Sequence, residues 1–316
     1  MQINLKQNTW LMNFEYMAKN FSTDDPSLLH IDFGEGFRSF HPLVYSMVGA
    51  MALEVKRNNG TITISGDEAA VNYLNKNIGL DNLISSKKSS SYNSVLIPLT
   101  QIRNDIELKH FIQDIVPLLH CPIESAGPIK YVFSEMIRNV LEHSKSKNGA
   151  IVCARYSEST NRISIGISDT GIGITKAISQ SHNPSDNAHS LILALTPGIT
   201  GTTSRLGGTA YNAGAGLFFT RSIAKLSKNV FILFSSDTMY KLRRGRNDGT
   251  INADPLKDNH SLRSFAGQNW EGTLVGIDFT LENQPQFEAL LSDIRAAYKV
   301  DVRNRNKEKY RKPKFI

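Results

Sequence analysis

The chain has 316 residues, 40% of them hydrophobic and 21% charged, with a formal net charge of +7. These are globular values for a chain long enough to hold two ordinary domains, and no run of about 18 apolar residues is present to span a membrane. Eight basic residues lie between Lys299 and Ile316 against Asp301 and Glu308, so this tail carries +6 and the rest of the chain only +1.

The first residues lack the basic-then-apolar pattern of a signal peptide. Cys121 and Cys153 have no metal spacing and make a disulfide framework an unexpected solution. A cytoplasmic protein is expected.

Residues 28–33 have the β-branched and apolar character of a strand. Residues 41–56 carry Leu43, Val44, Met47, Val48, Met51, Ala52 and Val55 at helical spacing. Asn58, Asn59 and Gly60 signal a turn, residues 61–64 a strand, and residues 69–77 a short helix. The strand–helix–strand–helix order predicts a small sheet covered by helices. Residues 85–93 are serine-rich and polar, so a linker and a domain boundary between 91 and 92 are expected.

A strand over 95–99 follows, then an amphipathic helix over 106–119. Residues 126–144 form the next helix, with an apolar stripe at Ile129, Val132, Phe133, Met136, Ile137, Val140 and Leu141. Glu135, Asn139 and His143 share another face at i, i+4 and i+8. Strands are expected at 150–156 and 163–168. The second alternates apolar with small or polar residues, as a half-buried strand does. It runs into Asp169, Gly171 and Gly173.

Residues 175–210 read as a long irregular loop, the kind that forms a lid. Gly214, Gly216 and Leu217 open a helix over 217–226. A strand at 229–234, a polar insertion at 241–270, a strand at 272–279 and a helix at 287–298 complete the chain. Singly, these fragments have plain readings: a turn after a strand, a tight helix entry, an exposed helix carboxylate.

Together they carry a resemblance. Glu135 with Asn139, Asp169-x-Gly171-x-Gly173, Gly214-x-Gly216-Leu217 and Gly272-Thr273 resemble the GHKL superfamily of gyrase, chaperone, histidine-kinase and mismatch-repair ATPases, over residues 95–298. The resemblance implies an α/β fold: a two-layer sandwich with a mixed sheet, helices on one face and an ATP lid. It implies ATP and Mg²⁺ as ligands. Glu135 would orient or deprotonate water, and Asn139 would give its amide oxygen to the metal. Asp169 would accept from the adenine amine, with Thr273 beneath the base. The glycines allow close backbone approach, and a helix start at Gly214 and Gly216 favours phosphate. His143 matches a family position and either contacts nucleotide or packs beside it. Arg138 and Glu142 read as surface residues, and Arg205 as a lid cation within reach of a γ-phosphate.

Residues 28–95 resemble a STAS-like domain, the fold of anti-sigma-factor antagonists, through Ile31, Asp32, Phe33 and the run from Gly60 to Gly66. The phosphorylatable Asp-Ser-Gly is absent; Ser39 stands near its place, and Pro42 simply starts the helix. Three domains follow: 1–91 STAS-like, 92–298 ATP-binding, and 299–316 a basic tail.

No Gly-x4-Gly-Lys-Ser/Thr phosphate loop or dinucleotide fingerprint occurs. A sensor histidine kinase would need a second helix between His110 and residue 126. Three functions remain open: an ATPase switch, an anti-sigma-type serine/threonine kinase, and a non-hydrolysing ATP-dependent binding module. A protein partner or self-association, including a dimer, is expected. Nucleic acid enters only through the basic tail, which reads equally as a solvated terminus.

Overall fold

The computed structural model describes residues 1–36, 39–86, 96–115, 123–204, 214–245, 249–280 and 287–309. The fold is mixed α/β. Residues 1–86 supply β1 (Gln2–Asn4), β2 (Phe21–Ser22), β3 (Leu28–Asp32), α1 (Pro42–Arg57), β4 (Thr61–Ser65), α2 (Glu68–Asn72) and α3 (Leu80–Ile84). The strands form one sheet in the order β2-β1-β3-β4, parallel at β1–β3 and β3–β4. β1 and β2 had no counterpart in the sequence reading, because two or three residues are too few to show a period.

The remainder supplies β5 (Leu96–Ile102), α4 (Asp105–His110), α5 (Ile123–Asn139), β6 (Ala150–Ser157), β7 (Arg162–Ser168), α6 (Gly173–Ile178) and α7 (Asn187–Leu195). Then come α8 (Gly216–Leu226), β8 (Phe231–Ser236), β9 (Thr238–Leu242), β10 (His260–Ser264), β11 (Trp270–Thr280) and α9 (Phe287–Lys309). The seven strands run β10-β9-β8-β11-β7-β6-β5. Every neighbouring pair is antiparallel. The expected mixed sheet is therefore corrected. Short connections such as that between β8 and β9 are hairpins, which only antiparallel strands allow.

Both faces of this sheet are buried. One packs α5, α7, α8 and α9 through residues such as Val152, Ile165, Leu233 and Ile277. The other uses the alternate positions Ile151, Cys153, Ile232, Phe234 and Leu274, and these join the core of residues 1–86. α1 lies between the two sheets, touching β6, β7 and β11 on one side and β3 and β4 on the other. The expectation of helices on one face is corrected accordingly. The anticipated boundary at 91/92 lies outside the described residues; on either side of it the two portions share one core.

β7 explains the arrangement. Its Ile163, Ile165 and Ile167 enter the first core, while Ser164, Gly166 and Ser168 form a shallow seat beneath α1. The pattern suggested a solvent face, yet these small side chains are covered by helix. A Cβ on Gly166 would drive into the backbone of Pro42 and Leu43. Ser46 and Ser168 join their hydroxyls at 2.7 Å across the seat.

The entry to α1 is fixed by His41. Its Nδ1 accepts from Leu43 N–H at 3.0 Å, capping the helix. The ring proton then sits on Nε2, 3.2 Å from Asp278 Oδ1 on β11. Ser164 donates to the same oxygen at 2.6 Å. Burial works to raise the Asp278 pKa, but His41, Ser164 and Arg162 outweigh it and hold the carboxyl below its ordinary range. His41→Ala should remove about 2–4 kcal/mol in urea unfolding, because it leaves a buried carboxylate short of a donor. An unchanged midpoint would show that Ser164 and Arg162 suffice.

Two further expectations change. The 175–210 stretch holds α6 and α7. Asp186 caps α7 by accepting from His189 N–H at 2.7 Å, and Leu191 and Leu195 are buried. The 241–270 insertion contributes the end of β9 and the edge strand β10. Arg205, Gly207, Gly208, Cys121, most of the 85–93 linker and residues 310–316 lie outside the described residues.

Candidate functional site

A cavity of about 300 Å³ opens between α5, the ends of β7 and β11, α6 and the start of α8. Glu135, Asn139, His143, Asp169, Gly173, Gly214, Gly216, Leu217 and Thr273 all line it. Four stretches, spread from Glu135 to Thr273 along the chain, are thus brought to one place. Gly171 is the exception among the expected residues. It stands behind Asp169 and donates its N–H to Asp169 Oδ1 at 2.7 Å, so it sets the carboxylate's direction.

The first wall is α5. Its apolar stripe faces the sheet, leaving Glu135 and Asn139 toward the cavity. After Asn139 the helix widens into a π turn, Val140–Ser144. Such turns recur at functional sites because they rotate the following side chains. His143 consequently lines the cavity beside Glu142 and Ser144.

Arg138 and Glu142 are exposed, as the surface reading expects, and they also line the mouth of the cavity. Arg138 stands 3.7 Å from Glu135 and 3.9 Å from Glu142, and Glu142 3.8 Å from His143. The Arg138 contacts follow helical spacing, i,i+3 to Glu135 and i,i+4 to Glu142, and together these charges stand at the cavity mouth. Burial pushes the Glu135 pKa up, with Arg138 pulling it back and Glu142 adding to the rise. Burial pushes His143 down, which keeps its ring neutral more readily.

The floor is Asp169, only 1% exposed at the end of β7. Its backbone is gripped from both sides. Its N–H donates to the Thr273 carbonyl at 3.0 Å, and its own carbonyl accepts from the Trp270 indole at 3.0 Å. Between Trp270 and Thr273 the β11 register shifts as a bulge, a common device beside functional sites. Asp169 Oδ2 is buried and has no hydrogen-bond partner among the described residues. Burial pushes the carboxyl up to about 7, against the opposing pull of the Gly171 and Thr273 donors. An orphaned carboxylate oxygen in a cavity is a position for a ligand N–H.

The second wall is the α8 entry. A Cβ on Gly216 would stand 2.8 Å from Glu135 Oε2 and 3.2 Å from Asn139 Nδ2. Glycine leaves this gap open without displacing the ends of the Glu135 and Asn139 side chains. Gly214 and Gly198 are tied by a backbone hydrogen bond of 3.0 Å, which closes the base of the intervening loop. Ile174, Ile178, Ile199 and Val275 supply an apolar lining that single motifs did not reveal.

The site also touches the N-terminal layer. Thr170 donates to Glu54 Oε2 of α1 at 3.2 Å, and Asn148 donates to the same oxygen at 3.1 Å. Ser39 lies away from the cavity, where its N–H donates to Asn8 Oδ1 at 2.7 Å. Among the described residues no cluster of three or more His, Cys, Asp or Glu could hold a metal, and no helix is long and apolar enough to cross a membrane. No protein-family model and no curated protein matches the chain.

Proposed function

We propose that this cavity binds ATP with Mg²⁺ and that the protein is a GHKL-type ATPase acting as a nucleotide-driven switch. The reading takes the seven-stranded sheet with α5, α8 and their neighbours as the GHKL-type sandwich, and residues 1–86 as a STAS-like unit. One observation carries it: the orphaned Asp169 oxygen, the Glu135–Asn139 pair and the Gly216 gap surround one cavity.

The residues fit the ligand. Asp169 offers an acceptor to an exocyclic purine amine in an apolar surround, the usual character of a base pocket. The backbone N–H groups at the α8 start and its dipole suit phosphate. Asn139 offers a single oxygen to a metal that otherwise keeps waters and phosphate oxygens. The bound metal would neutralise phosphate charge. Burial raises Glu135 above the ordinary carboxylate range while Arg138 pulls it back, and a raised carboxylate is a better base toward water.

Glu135→Gln should lower ATP turnover by about 10²–10⁴-fold while nucleotide affinity stays within a few-fold. Phosphate release and equilibrium binding measured on the same preparation check this. Turnover equal to wild type would remove Glu135 from the chemistry. Labelled ATP separates the reaction classes: label retained on protein identifies a kinase, and released phosphate an ATPase. Binding without either identifies an ATP-dependent module.

A further inference from the structure

The long helix α9 has two unlike faces. Its inner face is docked. Leu290, Leu291 and Ile294 are buried in the first core, and Tyr298 meets the rings of Phe218 and Phe219. Farther along, Arg305 binds Asp301 and reaches the carbonyl of Pro197. The helix is therefore held along most of its length.

Its outer face carries Arg295, Lys299, Arg303 and Lys307, all exposed. They recur every four residues. At 1.5 Å per residue the cations stand roughly 6 Å apart along a ridge of about 18 Å. Among the described residues none of the four has a hydrogen-bond or ion-pair partner. Asp301 is committed to Arg305. Asp293 sits about 200° round the helix from Arg295. The strip begins beside the cavity, where Arg295 and Arg138 act on the Tyr131 hydroxyl against the upward push of burial and Glu135. It points into the sequence holding Lys309, Arg311, Lys312 and Lys314.

We propose that this strip is a docking surface for the phosphate backbone of duplex nucleic acid. A rigid, regularly spaced row of free cations matches a polymer of regularly spaced anions. An 18 Å length of duplex presents about five phosphates on each strand, enough to face four cations. An acidic protein surface has no such repeat, and a membrane-binding helix would need a broad apolar face where α9 is already docked. The strip extends one turn ahead of the basic tail and is fixed in place by the fold, which a solvated terminus is not.

The test is fluorescence anisotropy of a labelled duplex of about 20 bp with the full chain, titrated between 50 and 200 mM salt. Four phosphate contacts give a log–log slope near −3.6, a loss of about 150-fold in affinity over that range, steeper if the tail adds contacts. The variant R295Q/K299Q/R303Q/K307Q should bind more weakly and lose about 3–4 units of slope. Its thermal midpoint should stay near wild type, because exposed, unpaired side chains contribute little to stability. No duplex binding at 50 mM salt, or equal slopes in variant and wild type, would overturn the proposal. So would tighter binding of polyglutamate or phosphatidylserine vesicles than of duplex.

Discussion

Asp169→Asn should weaken binding of adenine nucleotides by about 10²–10³-fold and at the same time stabilise the empty protein. Both effects come from one atom. Asp169 Oδ1 is occupied by Gly171, so any ligand donor must use Oδ2, which is buried and unpaired. In the asparagine variant that position becomes an N–H donor. It then faces the purine amine with the wrong polarity, and a mismatch of buried polar groups produces losses of this size. The preference for adenine over guanine should narrow or reverse, because guanine presents an acceptor there. Calorimetric titration with both nucleotides checks it. Unchanged adenine affinity would mean that Asp169 does not read the base.

The stability half follows from proton linkage. In the unfolded chain Asp169 ionises near 3.8, and in the fold near 7. Between these values the folded protein holds the extra proton, so stability falls as pH rises. The burial penalty is absent below about pH 4 and complete above 7, where it reaches roughly 4 kcal/mol. Asparagine removes that penalty but leaves a buried N–H unpaired, which costs about 1–3 kcal/mol. The net gain at pH 8 should be roughly 1–3 kcal/mol. The decisive reading is the slope: urea midpoints of wild type should decline from pH 5 to 8 more steeply than those of the variant. The same linkage makes ATP bind more tightly as pH rises through 7, since the ionised form is the acceptor.

Removing residues 1–86 should abolish cooperative folding of the remainder. The deletion uncovers the sheet face formed by Ile151, Cys153, Val230, Ile232, Phe234 and Leu274. At about 1.5–3 kcal/mol for each large apolar side chain, the loss equals or exceeds the 5–15 kcal/mol that holds an ordinary domain together. The fragment should bind hydrophobic dye and melt without a sharp transition. A soluble fragment with a sharp transition would show that the sheet can close its second face another way. Gly166→Val tests the same interface without deletion: it forces α1 off its seat and should lower stability by more than 3 kcal/mol.

The candidate site was more legible than the architecture. Glu135, Asn139 and His143 obey helical spacing, and the glycines mark turns, so short-range pattern located them. Gly171 was assigned to the ligand, yet it serves Asp169. Arg138 and Glu142 are surface residues in sequence and in structure, and only the fold shows that the cavity opens beside them. The second layer was hidden for a different reason. Ser164, Gly166 and Ser168 look like a solvent face, and only the companion glycine Gly276 across β11, aligned with Gly166, betrays a helix lying on top. α7 was legible in principle: Asp186 is a capping residue, and Leu191 and Leu195 stand one turn apart. The surrounding Ser, Thr and Gly content outweighed it.

Trp270 gives the protein an optical consequence. Its indole is buried in the shared core, edge-on to Phe21, and donates to the carbonyl of Asp169. The other tryptophan, Trp10, lies far along the chain beside His41. Any ligand that draws on Asp169 changes the field at Trp270 from within the packed interior. Emission from a Trp10→Phe variant thus becomes a label-free gauge of cavity occupancy, and simultaneously of whether residues 1–86 remain seated.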